Sequence, residues 1–178
     1  MQKADIEWNT AIHILGAVVN FLRSIPFLIL LAMLLPVTKA VVGKMMGTVA
    51  IVFPLIISAF PYVARMVEGS FNEVDPGIIE ASKAMGSTTM QIIRKVLLPE
   101  ALPSLINGFS ICMTTILAYT AMASAAAGGG LGSVAITYGL NQRRFDIMYA
   151  ASIMLVVLVQ IITVTGSVLT RKKDHRLR

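Results

Sequence analysis

Residues 101–142 run for forty-two positions without one Asp, Glu, Lys or Arg, and residues 147–170 run for another twenty-four. Residues 45–64 are also free of charge. Stretches of this kind constrain the fold more than any other feature of the chain. A soluble domain ordinarily carries about a quarter charged residues; here the share is 13%, against 56% apolar. A helix that crosses a bilayer needs about 20 mostly apolar residues, each adding about 1.5 Å. The 178 residues therefore read as one all-α integral membrane domain.

Four spans are expected, at about 25–42, 45–64, 102–127 and 147–170. Lys39 interrupts the first near its end, where its stem can snorkel. The longest uncharged stretch is long enough for two spans, but Gly128, Gly129 and Gly130 break it. The 12 residues from 131 to 142 cannot cross. Gly132 and Gly139 weaken that piece further as a helix. It reads as a Gly-rich loop or re-entrant segment, which needs a cover of protein or water.

Four spans place both termini on one side, and basic residues collect on the inner face. With the termini inside, inner segments 1–24, 65–100 and 171–178 hold eleven of the fifteen Lys and Arg. The outer segments hold Lys39, Lys44, Arg143 and Arg144. The middle loop and both termini are accordingly expected to be cytoplasmic. The net charge of +6 is spread between apolar stretches and the C-terminus instead of forming one polar surface, which argues against nucleic acid. Cys112 is alone and sits in an apolar run, so it reads as a small buried hydrophobe. His13 and His175 have no second ligand at metal spacing, and no metal site is expected. The acidic, polar start does not resemble a cleavable signal peptide.

The loop 65–100 is too polar to span and too patterned for a plain linker. Asp75-Pro76 predicts a helix start, with Asp as cap and Pro at the first position. That helix is expected to stop near Met85, before Gly86. Thr88 and Gln91 fit a capping box for a second helix reaching about Leu98. Pro99 and Pro103 are expected to mark the turn into the next span. Ile78, Ala81 and Met85 share one helix face, as do Met90, Ile93 and Leu97. On pattern alone, two helices lying flat on anionic lipid would satisfy these residues.

The residues also match a known pattern. Glu80-Ala81-Ser82, then Gly86, then Leu98-Pro99 resembles the EAA loop of bacterial ABC-importer permeases, with Ser82 in place of the second Ala. Asn20 to Phe27, Phe60 to Glu68, Arg94 to Pro103, and Gly128-Gly129-Gly130-Leu131-Gly132 resemble the methionine-importer type. The similarity covers roughly residues 19–170. It implies a type I ABC importer permease fold, whose members have five spans, the first lying upstream of where this chain starts. It further implies docking on an ABC ATPase through Glu80, Ala81, Ser82, Met85, Gly86, Leu98 and Pro99. Glu80 is expected to anchor the loop and Gly86 to supply a left-handed or close-packed corner. The implied assembly is an inner-membrane homodimer with two ATPase subunits and an extracytoplasmic methionine-binding lipoprotein. The permease carries no cofactor of its own; ATP and Mg belong to the ATPase, and the cargo is D- or L-methionine.

The pathway is less legible. Asn107, Ser110 and Thr114 share a face and are candidates for a polar conduit; the same side chains commonly bond to neighbouring helices or to their own backbone. Gly128, Gly129 and Gly130 are candidates for an outer gate, or form a simple turn. Met33, Met113 and Met122 read as packing. No phosphate-binding loop or nucleophile motif is present, so the chain reads as a transport subunit and not an enzyme. The competing readings are a permease for another small amino acid or peptide, a channel or secondary transporter, and a structural membrane subunit. The second, third and fourth spans lack the ionisable residues that proton-coupled transport generally uses.

Overall fold

A computed structural model describes residues 2–173, with side chains described from Ile12 onward, Ala125 apart. Arg176, Arg178 and His175 lie outside the described residues. Every regular element within them is helical. The order is α1 (Gln2–Ser24), α2 (Phe27–Val42), α3 (Thr48–Asn72), α4 (Pro76–Ala84), α5 (Thr89–Ile92), a π segment (Ile93–Leu97) and α6 (Leu98–Met122). A 3-10 turn (Ala123–Ala126), α7 (Leu131–Val134), a second π segment (Ala135–Asn141) and α8 (Phe145–Lys173) complete it.

Three continuous helical stretches are long and apolar enough to cross a bilayer: Thr48–Asn72, Thr89–Met122 and Phe145–Lys173. A fourth candidate is a broken pair, Ile12–Ser24 with Phe27–Val42, bent by 109°. Here the structure departs from the expected simple span at 25–42 preceded by an inner segment 1–24. Pro26 has no N–H and disfavours helix at Ile25, and the helix stops and restarts at this point. The Ser24 hydroxyl closes α1 by donating to the Asn20 carbonyl at 2.8 Å. Helix α2 alone is only about 24 Å long, short of the roughly 30 Å apolar core.

The chain divides into two compact units, 1–64 with 118–152 and 65–117 with 153–178. The core of the first unit joins Phe27 and Leu31 to Ile51, Ala123 and Ala126, with Leu35, Leu55 and Tyr119 packed against it. The Phe27 and Tyr119 rings are stacked, centroids 4.6 Å apart. The start of α2 therefore packs against α3 and the end of α6. The segment 131–141 is helical despite its glycines, and the glycines are its contacts. A Cβ on Gly132 would strike the Cα of Ala121 and lie 2.9 Å from its backbone nitrogen; one on Gly139 would lie 2.6 Å from Met148 Cβ. Small residues let helix backbones approach this closely where lipid gives no hydrophobic drive.

In the second unit, Gly108 meets Met66 and Gly166 meets Ser110 in the same manner. The Ser104 and Ser70 hydroxyls bond at 3.2 Å, and Thr170 donates to the Pro103 carbonyl at 3.4 Å. Helix α3 does not end near residue 64 but continues to Asn72. Nor do Pro99 and Pro103 turn the chain: Thr89–Met122 is one helical run of 34 residues. The π segment explains why. The Leu98 N–H reaches back five residues to Ile93, so the helix is already widened where Pro99 would otherwise clash with the preceding turn. Pro103 sits one turn into α6.

Gly132→Ala forces a Cβ into the Ala121 backbone, which cannot swing aside, and should destabilise the fold by about 1–3 kcal/mol. Gly16→Ala in α1 meets nothing within 4 Å and should be neutral or stabilise by up to about 1 kcal/mol. Thermal melting of the purified protein in detergent checks both; equal shifts would contradict the packing assigned to Gly132.

Candidate functional site

The segment between α3 and α6 is built from local rules at every corner. The Asp75 carboxylate accepts from the Gly77 N–H at 2.8 Å, and Pro76 occupies the first helical position. At the other end of α4 the Gly86 N–H donates to the Lys83 carbonyl at 2.9 Å and the Ser87 N–H to the Ser82 carbonyl at 3.2 Å. This pair of bonds is the Schellman stop, and it holds Gly86 at φ +79°. No atom lies within 4 Å of where a Cβ would stand on Gly86. Of the two roles expected for Gly86, the left-handed conformation is the one present, and space is not limiting. Thr88 and Gln91 then form the expected capping box, side chain to backbone in both directions.

The two short helices bury little apolar surface of their own. Ser82 and Ile92 are buried, and so is Val74 just before α4. The expected apolar faces stay open: Ile78, Ala81, Met90 and Ile93 are exposed, and Met85 is 78% exposed. Glu80 is exposed too, and neither of the two ion pairs among the described residues, Arg65–Glu68 and Arg144–Asp146, involves it. Leu98 and Pro99 are exposed at the start of α6. Of the seven residues singled out for docking, Ser82 alone is covered within the chain.

The three conduit candidates do not share the cavity that Asn107 lines. Asn107 lines a cavity of about 240 Å³ with Ser70, Glu73, Glu100, Ser104 and Thr170. Ser110 and Thr114 are not among the lining residues. Their hydroxyls donate to their own helix, at the Ile106 carbonyl (3.0 Å) and the Ile111 carbonyl (2.8 Å). Sequence reasoning missed Ser70, Glu73, Glu100, Ser104 and Thr170; Glu100 and Ser104 lie seven and three residues before Asn107 on one continuous helix and so share its face, while Glu73 follows the end of α3 at Asn72.

The glycine run is a tightly held turn. The Gly128 N–H donates to the Ala123 carbonyl at 3.1 Å, and a Cβ there would strike Ile51. A Cβ on Gly129 would lie 2.8 Å from Thr48 Oγ1, and Gly130 has φ +108°. Gly128 also borders a cavity of about 440 Å³ that includes Ser133, Thr137 and Tyr138. Ser133 and Thr137 are four residues apart, a signal visible only once the segment is known to be helical.

The sequence matches the family described as binding-protein-dependent transport system inner membrane component, over residues 11–178. The chain belongs to that family. It is a membrane-spanning permease subunit, a transport component and not an enzyme. It is 52% identical over 162 residues to the probable D-methionine transport system permease protein MetI of Vibrio cholerae, covering 91% of this chain and 72% of that one. It is 41% identical over 175 residues to the methionine import system permease protein MetP of Bacillus subtilis, covering 98% and 82%. A solved inward-facing conformation of the MetNI methionine ABC transporter is 42% identical, with a TM-score of 0.88 over 96% of this chain and 79% of that chain. The type I permease fold expected from the sequence is thereby established, as is residence in the inner membrane.

Replacing Gly86 by Ala in this permease should cost about 1–2 kcal/mol locally, from left-handed strain and not from crowding. Hydrogen exchange at Gly86 and Ser87 should quicken, and Gly86→Asn should quicken it less. Equal protection in all three proteins would contradict the conformational role.

Proposed function

We propose that this permease is the translocating subunit of an ATP-driven importer for methionine, and that residues 65–100 couple it to a separate ATPase. The single observation that carries the coupling role is an apolar, Met85-bearing face on a doubly capped helix that the chain itself leaves uncovered. A helix stopped at both ends by hydrogen bonds can move as a rigid body. Ile78, Ala81 and Met85 offer it apolar contact, and Glu80 offers charge-assisted hydrogen bonds worth about 1.5–3 kcal/mol once desolvated. The assembly this reading calls for has two copies of the chain, two ATPases that hold ATP and Mg, and an extracytoplasmic binding protein that delivers methionine. The whole chain forms one permease domain, and its C-terminus and the coupling segment face the cytoplasm. Nucleotide-driven closure of the ATPases would then bias a two-state equilibrium between inward-open and outward-open forms. Similarity to relatives named for D-methionine and methionine transport supports the choice of cargo.

Glu80→Lys and Gly86→Trp should each lower ATP-dependent methionine uptake into reconstituted vesicles by about tenfold or more, since each places a mismatched charge or bulk on the docking face. Both proteins should still insert in the membrane. Uptake at the wild-type rate by either variant would refute the coupling assignment.

A further inference from the structure

Helix α8 carries a carboxamide, Gln160, near the centre of its uncharged stretch 147–170. At 1.5 Å per residue, Gln160 stands about 20 Å from one end of that stretch and about 15 Å from the other. Whichever end meets the membrane edge, an apolar core about 30 Å thick has Gln160 in its middle region. The hydroxyls nearby are spoken for. Ser152, Thr163 and Ser167 donate to the Met148, Val159 and Val164 carbonyls of α8 itself. The Gln160 carboxamide is exposed and bonds to nothing among the described residues. An amide left in hydrocarbon without a partner is costly.

Two stripes run along α8. Leu155, Val159 and Ile162 are half-buried and Gly166 is buried, set against Ser110. One turn on, Thr170 donates to the Pro103 carbonyl. This stripe is the one that the chain covers itself. Val157, Gln160, Ile161 and Val164 form the other stripe. It is two residues out of step with the first, and so about 200° round the helix. All four residues are exposed, and with Thr165 they line a groove of about 460 Å³. They stand at i, i+3, i+4 and i+7, the set of four that makes a hole for one side chain of a facing helix. Groove and covered stripe both lie in the second compact unit.

The chemistry of the groove selects its occupant. Lipid tails offer an amide neither donor nor acceptor. Val157, Ile161 and Val164 surround the amide with apolar surface, which suits a dry helix contact and not a water-filled path. A second copy of α8 meets both conditions. Two copies inserted the same way, related by a twofold axis along the membrane normal, bring the same residues together at the same depth. A carboxamide holds an acceptor oxygen and a donor NH₂ in one group, so two Gln160 side chains can satisfy each other, as two carboxylates or two ammonium groups could not. Polar side chains of this kind hold helices together in membranes. We infer that Val157, Gln160, Ile161 and Val164 form a twofold contact between two copies of the permease, with the two Gln160 carboxamides bonded to each other in the middle of the membrane. The contact rests on the reading that the working assembly holds two copies of this chain.

The test is disulfide cross-linking of the permease–ATPase complex in its membrane. Cys112→Ala removes the single native thiol, and one cysteine at a time then replaces Val157, Gln160, Ile161 or Val164. Leu158 and Thr163, exposed on the two flanks of α8, are the control positions. Oxidation with copper phenanthroline should join two chains through the groove positions several-fold more than through either control. In detergent, Gln160→Leu should loosen the pair of chains about threefold to twentyfold, the range for one interhelical hydrogen bond. Gln160→Asn should recover part of that loss. Native mass spectrometry counts the copies in each complex, and an unchanged melting temperature separates a lost contact from misfolding. Two copies without cross-linking at the groove, equal cross-linking at the controls, or a Gln160→Leu pair as stable as the wild type would overturn the contact. So would a cross-link to a different protein, which assigns the groove to another partner. Ready labelling of Gln160→Cys by a water-soluble maleimide would assign it to a wet pathway and overturn the contact as well. A wild-type complex with one copy of the chain would mean that the two-copy reading has failed, and the contact with it.

Discussion

A backbone amide in the interior of a bilayer must find its acceptor within the protein, because no water is there to take it. The rest of this structure follows from that requirement. It forces the uncharged stretches into helices and makes each interruption a matter of where the released carbonyls and N–H groups go. Pro54 and Pro61 sit inside α3 and are almost wholly buried, where neighbouring protein shields the gaps they leave. Thr38, also fully buried, returns its hydroxyl to the Leu34 carbonyl at 2.8 Å. The π turn before Pro99 shifts the hydrogen-bond register so that a proline fits without breaking the helix. Among the described residues no buried side-chain nitrogen or oxygen lacks a partner.

With lipid on the outside, apolar surface is a weak guide to which helices meet, and small residues take over. Gly108, Gly132, Gly139 and Gly166 each stand where another side chain or backbone would otherwise collide. These contacts fix the second unit through α3, α6 and α8, and the first through α6, α7 and α8. Gly86 is a glycine of a different kind. It has open space around it and is required for its backbone angle, which ends α4 and turns the chain toward α5. That turn leaves the apolar, Met85-bearing face outward, so a conformational constraint on one residue presents the surface proposed for docking.

The coupling segment was the most legible part of the chain, because caps and stops are local. Asp75, Thr88, Gln91 and Gly86 bond within a few residues, and their spacing alone foretold two helices and the corner between them. The conduit was the least legible. Asn107, Ser110 and Thr114 share a helix face by period, yet two of them spend their hydroxyls on their own backbone. Periodicity gives a direction around a helix; it does not give the neighbour that receives the side chain.

The sequence by itself determined that the chain is helical, that it crosses a membrane, where three of its spans run, and how the segment from Asp75 to Ile92 is capped. Each of these depends on composition or on hydrogen bonds between near neighbours. The tertiary structure alone decided that the first candidate span is a bent pair, that Thr89–Met122 is continuous through two prolines, and that the glycines after residue 130 pack a helix instead of loosening a loop. Those outcomes depend on what lies across a contact. A proline breaks the chain at Pro26 and is absorbed at Pro99 because the helix before Pro99 is already widened, and no one-dimensional pattern separates the two cases.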